Sequence, residues 1–313
     1  MATPLASNDL DALTKAFSGF GVDESFIVSV SAKWQPDHLT NYRKSCSEFF
    51  RDDERSFQRW EVAHIAKLKT EFSRFKKAVL EWAMHPWERD ARFANEVVHK
   101  GPPLDLLIEV ACTRSSEELL GARKAYHSIF HHSLEEDVAS HLLGNSRKLF
   151  VALVSSYRYE GPWVNPELAI SEAKILGKAV KETGAIHNED VVRILSTRSK
   201  KQLKLTFDQY NEIFGSTIDK DLENDLILQS TVECLASPAT YYSKVLAKAL
   251  SEDADETAKK ALTRVVVTRA VVDLKEIKEE YNKIYGVSVV DKVAEVTSGN
   301  YKDFLLALIA RDT

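Results

Sequence analysis

The sequence predicts an all-α protein built from repeated helical units, and three observations support this prediction. Glycine and proline are scarce, with 11 and 8 residues in a chain of 313. Apolar residues recur at spacings of three and four, as in Leu203, Phe207, Tyr210 and Phe214, which is typical of helices with one buried face. The alternation of apolar and polar residues that indicates strands is nearly absent.

A short phrase recurs along the chain and sets the length of the unit. It occupies residues 112–115, 196–199 and 267–270, and each copy contains Thr-Arg. Each arginine is followed twelve residues later by a tyrosine, and each tyrosine four residues later by a second aromatic residue. Recurrence at fixed offsets predicts neighbouring copies of one supersecondary unit.

Four units follow from this period, at about 8–84, 92–158, 168–243 and 244–313. The first unit is degenerate: Lys33 and Trp34 occupy the phrase, and a charged insertion lies at 51–60. The longer, proline-containing joint at 160–166 is predicted to separate two halves of the chain.

Structural roles are available for the repeated residues. We expect each repeated arginine to lie where one helix ends and the next begins, with the hydroxyl of the threonine or serine before it capping free N–H groups. The guanidinium would then bond carbonyl groups at the helix end. The tyrosine and its aromatic neighbour are predicted to form a buried helix stripe.

Charge and cysteine content restrict the partners and the compartment. The net charge of -5 argues against nucleic acid as a partner and against simple adsorption to an anionic membrane. Cys46, Cys112 and Cys234 are widely spaced, so reduced thiols and a cytoplasmic location are expected. The first residues lack the basic and apolar regions of a secretory signal.

The stretch from Phe17 to Glu24 carries the strongest candidate site. Two glycines, Gly19 and Gly21, flank Phe20 just before a predicted helix. Glycine geometry lets a turn direct several carbonyl oxygens at one point, and a hard cation such as calcium binds oxygen ligands. The alternative is an ordinary turn between helices. A site would need a carboxylate from elsewhere, and Glu71 is the candidate.

The four units, the loop with Gly19 and Gly21 and the recurring Thr-Arg phrase together resemble the annexins. Residues 84–91 and 122–126 are similar to the plant branch. This resemblance implies a curved disc of four repeats with about five helices each, and calcium-dependent binding to acidic phospholipids.

The resemblance also implies the ligands of the first repeat. The carbonyl groups of Phe17, Gly19 and Gly21 would bind calcium together with the carboxylate of Glu71, placed at the start of the fourth helix. Phe20 and Val22 would be exposed and contact the membrane headgroups. Survival of this site depends on how the insertion at 51–60 displaces that helix.

The other repeats depart from the pattern. In the second repeat, residues 100–104 replace the glycine loop and His141 replaces the acid, so no calcium site is expected. In the third, Asp225 lacks a matching loop. In the fourth, Glu295 with Asp253 and Asp255 is either an altered calcium site or part of an acidic helix start.

Cys112 and Cys234 match positions at which plant annexins often carry cysteines that lie close together. They are either two buried small residues or a redox-sensitive pair.

No enzymatic activity is predicted, because no paired nucleophile and base is recognisable. The peroxidase activity credited to some plant annexins is linked to a histidine, and Lys33 occupies that position.

The function predicted from the resemblance is that of a cytoplasmic plant annexin that binds acidic phospholipid membranes when calcium rises, in stress signalling or membrane trafficking. Self-association, or association with other annexins, would reinforce attachment that depends on few sites. The alternative is a helical scaffold that binds protein partners. Val192-Arg193-Ile194 resembles an actin-binding tripeptide, although three residues carry little information.

Overall fold

The structure, a computed structural model, describes residues 14–16, 20–31, 36–52, 58–101, 103–144, 146–155, 158–181 and 185–311. Helices make up most of it, so the predicted all-α class is confirmed. Phe17, Gly19, Lys33 and Trp34 lie outside the described residues.

The described part of the first repeat contains three helices and a hairpin after the helical residues 14–16. Their bounds are α1 Glu24–Ser31, α2 Pro36–Ser45, β1 Phe50–Asp52, β2 Gln58–Trp60 and α3 Val62–Ala83.

Three groups of five α-helices follow, with one 3-10 turn at Ala185–His187. Their bounds are α4 Pro86–Lys100, α5 Asp105–Thr113, α6 Ser116–Phe130, α7 Leu134–His141 and α8 Ser146–Ser155; α9 Pro166–Lys181, α10 Glu189–Thr197, α11 Lys200–Phe214, α12 Ile218–Asp221 and α13 Leu226–Ala236; α14 Pro238–Ala249, α15 Glu256–Arg269, α16 Leu274–Tyr285, α17 Val289–Val296 and α18 Gly299–Ile309. These groups agree with the five helices expected of each repeat.

The chain divides into two compact units in three dimensions. One contains residues 1–83 and 243–313, and the other contains residues 84–242. The prediction that the joint at 160–166 separates two halves is therefore wrong. The first and last repeats share one unit because α3 packs against α15 and α18, and sequence spacing alone carries no information on such contacts.

The charged insertion forms a β-hairpin. Strands β1 and β2 pair in antiparallel register, with Phe50 opposite Trp60. Phe50 packs edge-on against Tyr42 and close to Trp60, with ring centroids 5.7 and 4.2 Å apart. Three-residue strands are too short to show alternation in the sequence, which explains why this element was not predicted.

Helix α3 runs without interruption from Val62 to Ala83. Glu71 therefore lies in its middle, and the expectation that Glu71 begins a helix is wrong. The segment contains neither glycine nor proline, the residues that most strongly end helices.

The repeated arginines bind carboxylates. Arg114 donates to Asp90 on α4 through two nitrogens at 2.5 and 2.8 Å. Arg198 bonds Glu172 on α9 at 2.8 Å, and Arg269 bonds Asp273 at 2.7 Å. Each repeated arginine thus forms an ion pair that the sequence analysis did not predict.

The serines after two of these arginines are helix caps. The hydroxyl of Ser115 accepts from the Glu118 amide at 3.2 Å and begins α6. Ser199 caps α11 in the same way. The capping residue is therefore the serine after the arginine, whereas the prediction gave this role to the hydroxyl residue before it. The hydroxyl of Thr113 instead donates to the Glu109 carbonyl at 2.7 Å.

The predicted aromatic stripe is present in the last three repeats. The tyrosine and its partner four residues later have ring centroids 4.7 to 4.9 Å apart in Tyr126–Phe130, Tyr210–Phe214 and Tyr281–Tyr285. In two repeats the tyrosine hydroxyl also donates to an aspartate eleven residues later, at 2.6 and 2.8 Å. The hydroxyl therefore ties α6 to α7 and α11 to α12.

His64 is enclosed by the aromatic residues of the hairpin. Its ring stacks on Phe49 at a centroid distance of 4.0 Å and lies 5.6 Å from Trp60. Its Nε2 is buried and has no hydrogen-bond partner among the described residues. Burial lowers the pKa of His64, the charge of Lys67 lowers it further, and Glu48 opposes both.

A His64→Phe variant is expected to be less sensitive to acid than the wild type. The unfolded chain takes up a proton on His64 near pH 6.5, whereas the folded chain resists this proton, so stability is lost as pH falls through that value. Urea unfolding at pH 7.5 and 5.5 measures the loss. The same loss in both proteins would contradict this assignment.

Candidate functional site

The glycine loop and Glu71 meet in the structure, as the sequence predicts. The Gly21 amide donates to Oε2 of Glu71 at 2.7 Å, across fifty residues of chain. The Glu71 side chain is buried, with 2% of its surface exposed. Gly21 has φ 87°, and a Cβ there would lie 2.8 Å from the Ser298 carbonyl oxygen. Only glycine fits this position.

Arg74, which sequence analysis did not single out, binds the Glu71 carboxylate on both oxygens. Its Nε donates to Oε2 at 2.6 Å and a terminal nitrogen donates to Oε1 at 3.1 Å. The same terminal nitrogen donates to Glu256 at 2.7 Å. Burial opposes the charge on Arg74, but Glu71 and Glu256 outweigh it and raise the pKa. The sequence signal for this ion pair was the spacing of Glu71 and Arg74, because an acid and a base three residues apart on a helix lie side by side.

Phe20 and Val22 are buried, with 9% and 1% of their surfaces exposed. The Arg74 guanidinium carbon lies over the Phe20 ring, 4.5 Å from the ring centroid. The ring centroids of Phe20 and Tyr301 are 5.5 Å apart. The prediction that these two side chains are exposed for membrane contact is therefore wrong. The sequence of the turn does not decide whether a phenylalanine between two glycines is buried or exposed. The residues that pack against the turn in the folded protein decide it.

Residues 297–301 cover the loop. Phe20 forms a parallel bridge with Thr297, and its carbonyl accepts from the Ser298 amide at 3.0 Å. The Gly21 carbonyl accepts from the Ser298 hydroxyl at 2.7 Å. Gly299 permits this approach, since a Cβ there would lie 2.0 Å from the Val22 carbonyl oxygen. One of the predicted ligand carbonyls is therefore already bonded within the protein.

The donor atoms suit a hard cation in kind, because carbonyl and carboxylate oxygens are the ligands of calcium. The carboxylate of Glu71, however, is bound to the cation Arg74. Within the described ranges, no three histidine, cysteine, aspartate or glutamate side chains form a group that could hold a metal ion. A calcium ion in the first repeat would have to replace the guanidinium at Glu71.

The acids of the fourth repeat have separate roles. Asp255 caps α15, where its Oδ1 accepts from the Ala258 amide at 2.7 Å. Glu295 is exposed and pairs with Lys292 at 2.7 Å. The Asp253 amide donates to the Ser251 hydroxyl at 3.3 Å. The described residues thus do not assemble an altered calcium site here, and the acidic helix start agrees better with these contacts.

In the third repeat, Asp225 is also a helix cap. Its Oδ1 accepts from the Leu228 amide at 3.1 Å at the start of α13. The Val192-Arg193-Ile194 segment lies in α10, with Ile194 fully buried. An actin partner stays a prediction.

Cys112 and Cys234 lie side by side in the second unit, fully buried. A thiol–thiol hydrogen bond from Cys234 is the main influence that lowers the pKa of Cys112, against the effect of burial, and the charges of Arg158 and Lys200 add to it. The proximity implied by the resemblance is therefore present. A redox role stays a prediction.

Comparison with known proteins decides the family. The annexin family model matches residues 89–153, 171–227 and 241–308, which is more than half of the chain. The chain belongs to the annexin family. It is 48% identical to Annexin D4 of Arabidopsis thaliana over 99% of both chains. It is 40% identical to the annexin-like protein RJ4 of Fragaria ananassa, over 98% of this chain and 96% of the relative.

A solved structure, annexin III, has the same fold. It matches this annexin with a TM-score of 0.70 and 27% identity, over 100% of this chain and 97% of the other. These relatives confirm an annexin of the plant branch. The family is one of calcium-dependent phospholipid-binding proteins, which fits a protein that is not an enzyme, although plant annexins can show peroxidase or ATPase activity. Across the described residues, no helix is both long and apolar enough to cross a bilayer.

Proposed function

We propose that this annexin binds acidic phospholipid surfaces when calcium enters the first-repeat loop. The carbonyl groups of Phe17, Gly19 and Gly21 and the carboxylate of Glu71 would hold the ion. The observation that carries this proposal is the 2.7 Å bond between the Gly21 amide and Glu71, which brings loop and acid together. A calcium ion supplies the positive charge that joins a protein of net charge -5 to an anionic surface.

Arg74 sets the threshold for this step. It neutralises Glu71 in the absence of calcium, because a buried carboxylate without a partner is strongly unfavourable. Its other partner is Glu256, at 2.7 Å, whose side chain is half exposed. When Glu71 exchanges the guanidinium for calcium, Arg74 keeps a carboxylate partner. This competition predicts a calcium requirement higher than that of a site with a free acid.

Membrane attachment then depends on the ion rather than on inserted side chains. Phe20 and Val22 are buried, so they add no apolar contact in this conformation. A single bridging site gives weak attachment, and self-association on the membrane would strengthen it through multivalency. The cytoplasmic location and the roles in stress signalling or membrane trafficking belong to the same proposal.

Sedimentation with phosphatidylserine vesicles tests the site. We expect the wild type to pellet only with calcium, and Glu71→Gln to require more than about ten times as much, since it loses one charge and one ligand oxygen worth over 1.4 kcal/mol. Glu276→Gln is the control, because Glu276 is an exposed acid of the same unit. Equal calcium requirements for both variants would contradict the assignment of Glu71.

A scaffold that binds protein partners is the second candidate function. The observation in its favour is that both oxygens of Glu71 accept hydrogen bonds from Arg74 and that Oε2 also accepts from Gly21. If the wild type fails to pellet at millimolar calcium, calcium does not displace Arg74 from Glu71. The scaffold function is then favoured.

A further inference from the structure

Two histidines of the second repeat face each other on the surface. His99 lies in the last turn of α4, and His141 is the last residue of α7, a helix that packs against α4. Their ring centroids are 4.5 Å apart, with an angle of 47° between the planes. Both side chains are exposed. The pair is therefore open to solvent and to a dissolved ion.

Main-chain contacts favour a proton on Nδ1 of each ring. Nδ1 of His99 lies 3.0 Å from the Asn95 carbonyl oxygen, and Nδ1 of His141 lies 3.0 Å from the Asp137 carbonyl oxygen. A carbonyl oxygen only accepts hydrogen bonds, so Nδ1 donates to it in the tautomer that carries the proton there. In the neutral ring, Nε2 then carries a lone pair. Neither Nε2 has a hydrogen-bond partner within the described part of the chain.

Polar side chains also lie near each Nδ1. The Asn95 side-chain amide, 3.2 Å from Nδ1 of His99, also lies within 3.2 Å of the Tyr126 hydroxyl, to which it donates. The Ser140 hydroxyl, 2.9 Å from Nδ1 of His141, donates to the Asp137 carbonyl at 3.1 Å. Histidines whose Nδ1–H is held by a main-chain carbonyl are oriented in the way that metal-binding histidines commonly are.

We propose that His99 and His141 form a site for a borderline transition-metal ion, with Zn²⁺ as the representative. Imidazole nitrogen suits Zn²⁺, Cu²⁺ and Ni²⁺, whereas calcium requires oxygen ligands. Two nitrogens bound to one tetrahedral Zn²⁺ at about 2.0–2.1 Å lie roughly 3.4 Å apart. The ring centroids, 4.5 Å apart, are close enough for both rings to bind one ion. Water fills the two remaining positions of the ion.

The position of His141 in the repeat is occupied by another residue type in the third repeat. His141 follows Tyr126 by fifteen residues, as Asp225 follows Tyr210. Asp225 caps a helix there, so the histidine pair is a feature of the second repeat and not of the common repeat pattern. His99 precedes a segment, 100–104, that has two prolines and a lysine. The site is separate from the first-repeat loop, so it stands independently of the proposed calcium function.

Isothermal titration of the full chain with ZnCl₂ at pH 7.5 tests this site. We expect one saturable site, and we expect His99→Gln and His141→Gln each to weaken binding at least about tenfold by removing one of two ligands. His187→Gln is the matched control, since His187 is an exposed histidine of the same unit. One millimolar calcium should leave zinc binding unchanged.

Cobalt provides a readout of coordination. Co²⁺ bound by two imidazoles gives visible absorption bands that depend on ligand and geometry, and these bands should be lost in His99→Gln and His141→Gln but not in His187→Gln. The proposal is overturned if the wild type shows no saturable zinc binding. It is also overturned if the two variants bind zinc as the wild type does, because the ion is then held elsewhere.

Discussion

An Arg74→Gln variant is expected to bind phosphatidylserine vesicles at about one tenth of the calcium concentration that the wild type requires. The guanidinium makes two hydrogen bonds to the Glu71 carboxylate, and calcium has to replace them. Hydrogen bonds to charged groups are worth about 1.5–3 kcal/mol, and about 1.4 kcal/mol corresponds to a tenfold change in binding. Calcium titrations of vesicle sedimentation measure the shift.

A control separates this competition from a general effect of charge. Arg51→Gln removes the same charge from the same unit, where Arg51 is exposed and pairs with Glu61. Both variants become more negative, which by itself weakens attraction to an anionic surface. Only Arg74→Gln should need less calcium, and calcium should raise its melting temperature more than that of the wild type. An unchanged or higher calcium requirement for Arg74→Gln would refute the competition.

An Asp90→Asn variant is expected to lose about 3–5 kcal/mol of the free energy of unfolding. Asp90 is 1% exposed, and the two bonds from Arg114 hold both of its oxygens. The neutral amide leaves the buried guanidinium of Arg114 without a balancing charge, which is the costly way to break a buried ion pair. Urea unfolding followed by circular dichroism measures the loss.

Glu88 provides the comparison on the same helix. It pairs with Arg92 at 2.8 Å, and both side chains are exposed. Exposed pairs contribute about 0–1 kcal/mol, so Glu88→Gln should unfold close to the wild type. If the two variants were equally stable, the buried Asp90–Arg114 pair would not contribute more to stability than an exposed ion pair. The repeated arginine of the sequence would then need another explanation.

The repeat itself is visible in the sequence because it depends on local chemistry. Helix periodicity, the serine caps after Arg114 and Arg198 and the aromatic stripe each involve residues within four positions of one another. Glu71 was also found from the sequence, because the resemblance to annexins implies a distant acid that completes the glycine loop. What the sequence did not provide was the partners of Arg114 and Arg198, because Asp90 and Glu172 lie 24 and 26 residues away.

The sequence by itself determined the helical class and the four repeats, because these follow from short-range spacing and from the repeated pattern. The pairing of the glycine loop with Glu71 was implied by the resemblance to annexins that the sequence carries. Only the tertiary structure decided how the loop is used. Segment 297–301 covers Phe20, and Arg74 joins Glu71 to Glu256 across 182 residues. Burial and ion pairing between distant segments depend on how helices pack. They therefore leave no periodic signal in the chain. For this reason the sequence predicts that the Glu71 carboxylate is available to calcium, whereas the structure shows it bonded to Arg74.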